Sequence, residues 1–96
     1  MIVHIVFLQF KDENKEQNIA NVKELLEGLP SKISELKSLE VGLNFDEADR
    51  AMDLSLYTTF ETKEDLNSYA IDPEHLKVVE VIKQVTEYSK VVDYIK

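Results

Sequence analysis

A chain of 96 residues with 44% hydrophobic and 31% charged side chains has the make-up of one small globular domain, and a disordered segment is excluded. It contains no cysteine, which rules out disulfides and thiolate metal sites. Nineteen acidic residues against eleven basic ones give a formal net charge of −8. Such a field repels polyanions, so no nucleic-acid partner is expected.

The opening stretch, Ile2 to Phe10, is rich in Ile, Val and Phe and contains no breaker, which predicts a first strand. It has neither a basic leader nor a small-residue cleavage site, so it does not read as a secretion signal. No run approaches the roughly 18 apolar residues of a membrane helix. A cytoplasmic protein with no membrane partner is the expectation. Lys11 to Asn14 reads as a polar turn in which Asp12 or Asn14 caps the next helix. That helix is expected from about Lys15 to Glu27, because Ile19, Val22 and Leu26 recur at steps of three and four. Gly28 marks its end.

Pro30 and Ser31 open a short helical turn carrying Ile33 and Leu36. Leu39, Val41, Leu43 and Phe45 then alternate with polar or small residues and predict a second strand with one apolar face. The charged loop Asp46 to Ala51 leads to a third strand, Met52 to Phe60. Thr62 followed by Asp65 resembles a capping box ahead of a short helix with Leu66 and Tyr69. Asp72-Pro73 begins another helix, with an N-cap acid followed by a proline at the first helical position. Its apolar stripe is read as Leu76, Val79, Ile82 and Val85. Lys90 to Ile95 reads as the last strand. The order β-α-β-β-α-β is ferredoxin-like. It predicts an α+β domain spanning residues 1–96, with a four-stranded antiparallel sheet and helices on one face.

A sheet covered on one side should alternate apolar and polar. The first strand does not: Ile2, His4, Val6 and Leu8 share one face, and Val3, Ile5 and Phe7 the other. The second face also carries Gly42, Asn44, Ser55, Tyr57, Thr59, Val92 and Tyr94, a mixed rather than charged set. A second copy packing sheet on sheet would cover it, so a homodimer through the open sheet face is expected.

Several segments carry a family resemblance: IVHIVFLQFK with its strand-one histidine, DLSLYTTFETKEDLNSY, YAIDPEH with its Pro-x-His element, and the terminal VVDYIK. Together they resemble the stress-responsive A/B barrel (Dabb) family across essentially the whole chain. The resemblance implies a dimeric α+β barrel of ferredoxin-like subunits, with biochemistry unassigned for many members. The family includes a plant polyketide cyclase that works by aldol chemistry, and related two-layer dimers include cofactor-free monooxygenases. By that likeness, Tyr69 and His75 stand at a catalytic pair and His4 at a further pocket histidine. Leu39, Leu56, Leu76 and Val91 then line a ligand pocket between sheet and helices. Asp72, counted among the ligand-binding residues, stands where the cyclase has another histidine.

Read from the residues themselves, His75 lies three positions after Asp72 on the face continued by Val79 and Ile82, so its imidazole is expected to point inward. A neutral imidazole can remove a proton next to a carbonyl, and a tyrosine hydroxyl can hold the developing enolate oxygen. The structural alternative is that His4, Tyr69 and His75 are hydrogen-bonded elements of the fold. Binding of a small hydrophobic ligand without turnover, and a chaperone-like oligomer, are the other readings. No cofactor and no metal are expected. Two histidines on separate elements make no zinc set, and Asp46, Glu47 and Asp49 lack EF-hand spacing.

Overall fold

A computed structural model describes residues 1–96. The elements are β1 (Ile2–Phe10), α1 (Lys15–Glu27), β2 (Ser38–Leu43), β3 (Leu54–Phe60), α2 (Lys63–Ile71), α3 (Pro73–Val85) and β4 (Thr86–Ile95), with a 3₁₀ turn at Leu29–Ser31. The strands lie in the order β2-β3-β1-β4, every neighbouring pair antiparallel. The α+β, ferredoxin-like expectation is met. The register sets Ile2 opposite Phe60, Val6 opposite Leu56 and Leu8 opposite Leu54, so these six share one face. That face meets Val22 and Leu26 of α1, Tyr69 of α2 and Val78 of α3 in a single buried core.

Local chemistry explains most of the boundaries. The Thr62 side chain accepts a hydrogen bond from the Asp65 N–H (3.0 Å) and opens α2. The Asp72 carboxylate accepts one from the Glu74 N–H (2.8 Å) and opens α3, with Pro73 at the first position. Each cap satisfies a backbone donor that the helix itself leaves free. Asn14 occupies the N-cap of α1 but sits in the left-handed region (φ 52°) and makes no side-chain cap bond. Gly28 ends α1 in the ordinary right-handed region, so the turn does not use glycine's special freedom.

Three strand limits differ from the sequence expectation. β2 stops at Leu43: the Asn44 N–H still donates in register to the Asp53 carbonyl (3.0 Å), but the Asn44 side chain then accepts from the Asp46 N–H (3.1 Å) and donates to the Asp46 carbonyl (2.6 Å), which turns the chain away. Phe45 is left 97% exposed. β3 begins at Leu54 rather than Met52. Asp53 is occupied at the end of the two central strands, where its carboxylate accepts from the Phe10 N–H (2.8 Å) and its own N–H donates to the Leu8 carbonyl. β4 starts at Thr86, directly after α3, four residues earlier than expected.

The face away from the helices carries Val3, Ile5 and Phe7, flanked in register by Tyr94, Val92 and Lys90 on β4 and by Thr59, Tyr57 and Ser55 on β3. Val92 and Tyr94 are about half exposed. Val3, however, is fully buried within one subunit. It lies between Thr59 and Tyr94 in the ladder, so it needs no second copy to leave water. The uncovered apolar surface of β1 is Ile5 and Phe7, both half-buried.

Candidate functional site

α3 and β4 are joined without a loop, and the space between them, closed by β1, is a cavity of about 390 Å³. Along α3, His75, Val79 and Lys83 stand on one i, i+4, i+8 row, and all three line it. From β1 come His4, Val6 and Leu8, which share the helix-side face. Tyr69 of α2 and Leu56 of β3 complete the inner wall, while Thr86, Glu87 and Ser89 contribute from the start of β4. The wall is thus a little more than half hydrophobic, with both histidines and Tyr69 together at one end and a second tyrosine, Tyr88, on β4. The other concavities, at the chain termini and at the β2–β3 edge, bring no histidine to their walls.

Tyr69 is 1% exposed, and its hydroxyl is buried with no hydrogen-bond partner. Its ring lies between Phe60 (centroids 5.0 Å apart) and the His75 ring (4.2 Å, 34° between planes). Burial pushes its pKa from 10.0 up to about 12, so the phenol stays protonated and available as a donor. A buried polar group without a partner is uncommon and costly.

The His75 Nδ1 lies 3.1 Å from the Ala70 carbonyl oxygen. A carbonyl only accepts, so Nδ1 carries the hydrogen, and the neutral ring keeps its lone pair on Nε2. Burial, foremost, pulls the His75 pKa below the ordinary 6.5, and nearby His4 adds to this. The Ala70 hydrogen bond and the Asp72 carboxylate oppose it without prevailing. His75 is therefore a neutral base at pH 7. His4 is held differently: its Nδ1 contacts the Asp93 carboxylate. The two residues face each other across the β1–β4 ladder. The His4 carbonyl also accepts from the buried Thr58 hydroxyl (2.8 Å), which fixes the backbone beneath the ring.

Of the residues singled out from the sequence, His4, Tyr69, His75 and Leu56 meet in this cavity. Leu39, Asp72, Leu76 and Val91 are not in its wall. Leu39 packs at the core margin on β2, the strand farthest from β4. The Asp72 carboxylate is taken up as the cap of α3. Leu76 is 49% exposed, because the core stripe of α3 runs through Val78, Val81, Ile82 and Val85 and turns position 76 outward. Val91 is exposed on the edge strand. Sequence reasoning missed Asp93 and Lys83. Lys83 was within reach, since it continues the row of His75 and Val79. Asp93 needed the β1–β4 register, which spacing alone does not supply. No group of three metal-ligating side chains occurs, and no helix is long and apolar enough to cross a membrane.

An antiparallel sheet in the order β2-β3-β1-β4 under one layer of helices defines a ferredoxin-like α+β domain. The chain belongs to the stress-responsive A/B barrel domain family, whose model matches residues 2–96. Among solved structures, it resembles a dimeric protein of unknown function and ferredoxin-like fold from Bacteroides fragilis. That protein is 32% identical with a TM-score of 0.90, over 99% of this chain and 95% of the other. The protein At3g17210 from Arabidopsis thaliana shares the fold at 20% identity and a TM-score of 0.88, covering 100% and 95% of the two chains. A hydroxynitrile lyase from Passiflora edulis does so at 23% identity and 0.87, covering 99% and 92%. No curated protein matches the chain in sequence at a significant level.

Proposed function

We propose that the protein is a homodimeric, cofactor-independent acid–base catalyst that takes a small, mostly apolar carbonyl compound into the cavity between α3 and β4. The observation that carries this reading is the Tyr69 hydroxyl, buried without a partner beside a neutral imidazole. A ligand carbonyl supplies the missing acceptor. Nε2 of His75 removes a proton from the carbon next to that carbonyl. Negative charge then moves to the oxygen, where the Tyr69 O–H holds it. His4, oriented by Asp93, offers a second nitrogen for moving the proton. The aliphatic wall of Val6, Leu8, Leu56, Val79 and Ile82 binds the rest of the molecule and keeps water out.

The homodimer rests on the uncovered sheet face with Ile5, Phe7, Val92 and Tyr94, and on the dimeric state of the similar Bacteroides fragilis protein. The open faces of two copies pack against each other and leave the helix-side cavity of each subunit free.

The test is hydrogen–deuterium exchange of nonan-2-one in heavy water, followed by NMR. Wild type is expected to label the carbons beside the carbonyl faster than buffer. His75→Ala and Tyr69→Phe should each slow the enzyme-dependent part by about 100-fold, the usual scale for a general base or an oxyanion donor. If labelling by wild type equals buffer, or survives both substitutions, the reading is wrong.

A further inference from the structure

We infer that the cavity selects an anionic ligand, an oxo-acid whose carbonyl lies at the Tyr69–His75 end and whose carboxylate is met by Lys83 at the other. This rests on the proposed site and adds the chemical class of its ligand.

The two ends are far apart, and the backbone measures the separation. His75 and Lys83 are eight residues apart on α3, about 12 Å at the helical rise. On the opposite wall, His4 and Leu8 are four residues apart on β1, about 13 Å at the strand rise. The cavity is thus a slot with the proton-transfer groups at one end and Lys83 at the other. Val6, Val79 and Ile82 lie between.

Lys83 is the one lysine or arginine in the wall. Five lysines, Lys15, Lys23, Lys32, Lys37 and Lys77, have carboxylate partners within 4.0 Å; Lys83 is among the basic residues that have none, and it alone of these lines the slot. Its neighbour Glu87 also borders the slot, yet no ion pair joins them. In a chain of net charge −8, Lys83 is the one basic side chain on the wall that offers an incoming anion opposite charge. A lysine in the last helical turn also complements the helix dipole. That role needs no cavity, and it does not explain why Lys83 continues the row of His75 and Val79. Allowing about 3 Å for a hydrogen bond at each end, the slot accepts a ketone and a carboxylate joined by a saturated chain of at least a few methylenes.

The experiment titrates three probes by NMR into wild type, Lys83→Gln and Tyr69→Phe: 8-oxononanoate, its methyl ester and nonan-2-one. Wild type should bind the acid about fivefold more tightly than the ester, the scale of one partly exposed ion pair. That preference should fade at 0.5 M salt, as screening requires. Lys83→Gln should bring the acid to the level of the ester. Equal affinity of wild type for acid and ester, or a preference that survives Lys83→Gln, overturns the inference. If nonan-2-one still binds in that case and weakens in Tyr69→Phe, the site itself stands and only the anion selection fails. If no probe binds, or none responds to Tyr69→Phe, both fail.

Discussion

Replacing Tyr69 by Phe separates a fold element from a functional group. The substitution keeps the ring and its contacts with Phe60 and His75 and removes only the hydroxyl. A buried hydroxyl without a partner carries a desolvation cost of roughly 1–3 kcal/mol, whereas one engaged in a structural hydrogen bond contributes about 1 kcal/mol net. The hydroxyl here has no partner. Tyr69→Phe is therefore expected to unfold at the same urea concentration as wild type at pH 7, or to be more stable by about 1 kcal/mol. The comparison must be made at one protein concentration, because association contributes to the stability of a dimer.

Alkaline pH gives the second arm. The folded phenol holds its proton up to about pH 12, against 10.0 ordinarily. Between those values the folded state binds more protons than the unfolded one, so stability falls as pH rises through the window. The rise from 10.0 to about 12 corresponds to at most about 3 kcal/mol, and the variant lacks that share of the alkaline loss. A destabilisation of 1 kcal/mol or more at pH 7, or an alkaline slope identical to wild type, would refute the reasoning and assign the hydroxyl to the fold.

Three further outcomes follow from the same geometry. The folded pKa of His75 is depressed, so the unfolded chain binds the extra proton. Stability should fall as pH drops below 6.5, and His75→Gln should shed part of that loss in urea titrations at stepped pH. Asp72→Ala removes the cap of α3 and should cost about 1 kcal/mol by thermal unfolding, while binding of nonan-2-one at the temperature of the folded state persists. Phe7→Lys places a charge on the open sheet face and should give monomers by light scattering at micromolar concentration. A persistent dimer would relocate the interface.

The residues that were legible in the sequence are those whose fate is decided locally. Thr62 and Asp72 could be read as caps because a side-chain oxygen two or three residues before a free N–H is a short-range contact. The inward turn of His75 followed from its spacing to Val79 and Ile82. Leu76 was misplaced because α3 has apolar residues at 78, 79, 81 and 82, so two neighbouring stripes satisfy the helical period. Only packing against α1 and the sheet chooses between them. Phe45 continues the alternation of β2 on paper, but the Asn44 side chain bonds the Asp46 backbone and turns the chain there. The partnership of His4 with Asp93 spans 89 positions and depends on a register that alternation leaves free by steps of two.

The cavity itself has a cause in connectivity, and that cause can be tested. Between α3 and β4 there is no connecting residue: Val85 ends the helix and Thr86 begins the strand. The junction is pinned on two sides. The Thr86 hydroxyl donates to the Ile82 carbonyl (2.8 Å), and the Lys11 N–H donates to the Val85 carbonyl (2.9 Å). A helix and a strand leaving one pinned vertex must diverge, and the space they enclose is the slot that runs past Val79 to His75. Two glycines inserted after Val85 release the vertex and let α3 settle toward β4. Lengthening a connection by two residues costs on the order of 1 kcal/mol or less in closure entropy, so the fold should survive with a small change in Tm. Binding of nonan-2-one, read by NMR titration, should weaken by about tenfold or more as Val79 and Ile82 move into the space they now line. Undiminished binding in the folded insertion variant would mean that packing elsewhere, and not the tight α3–β4 turn, holds the slot open.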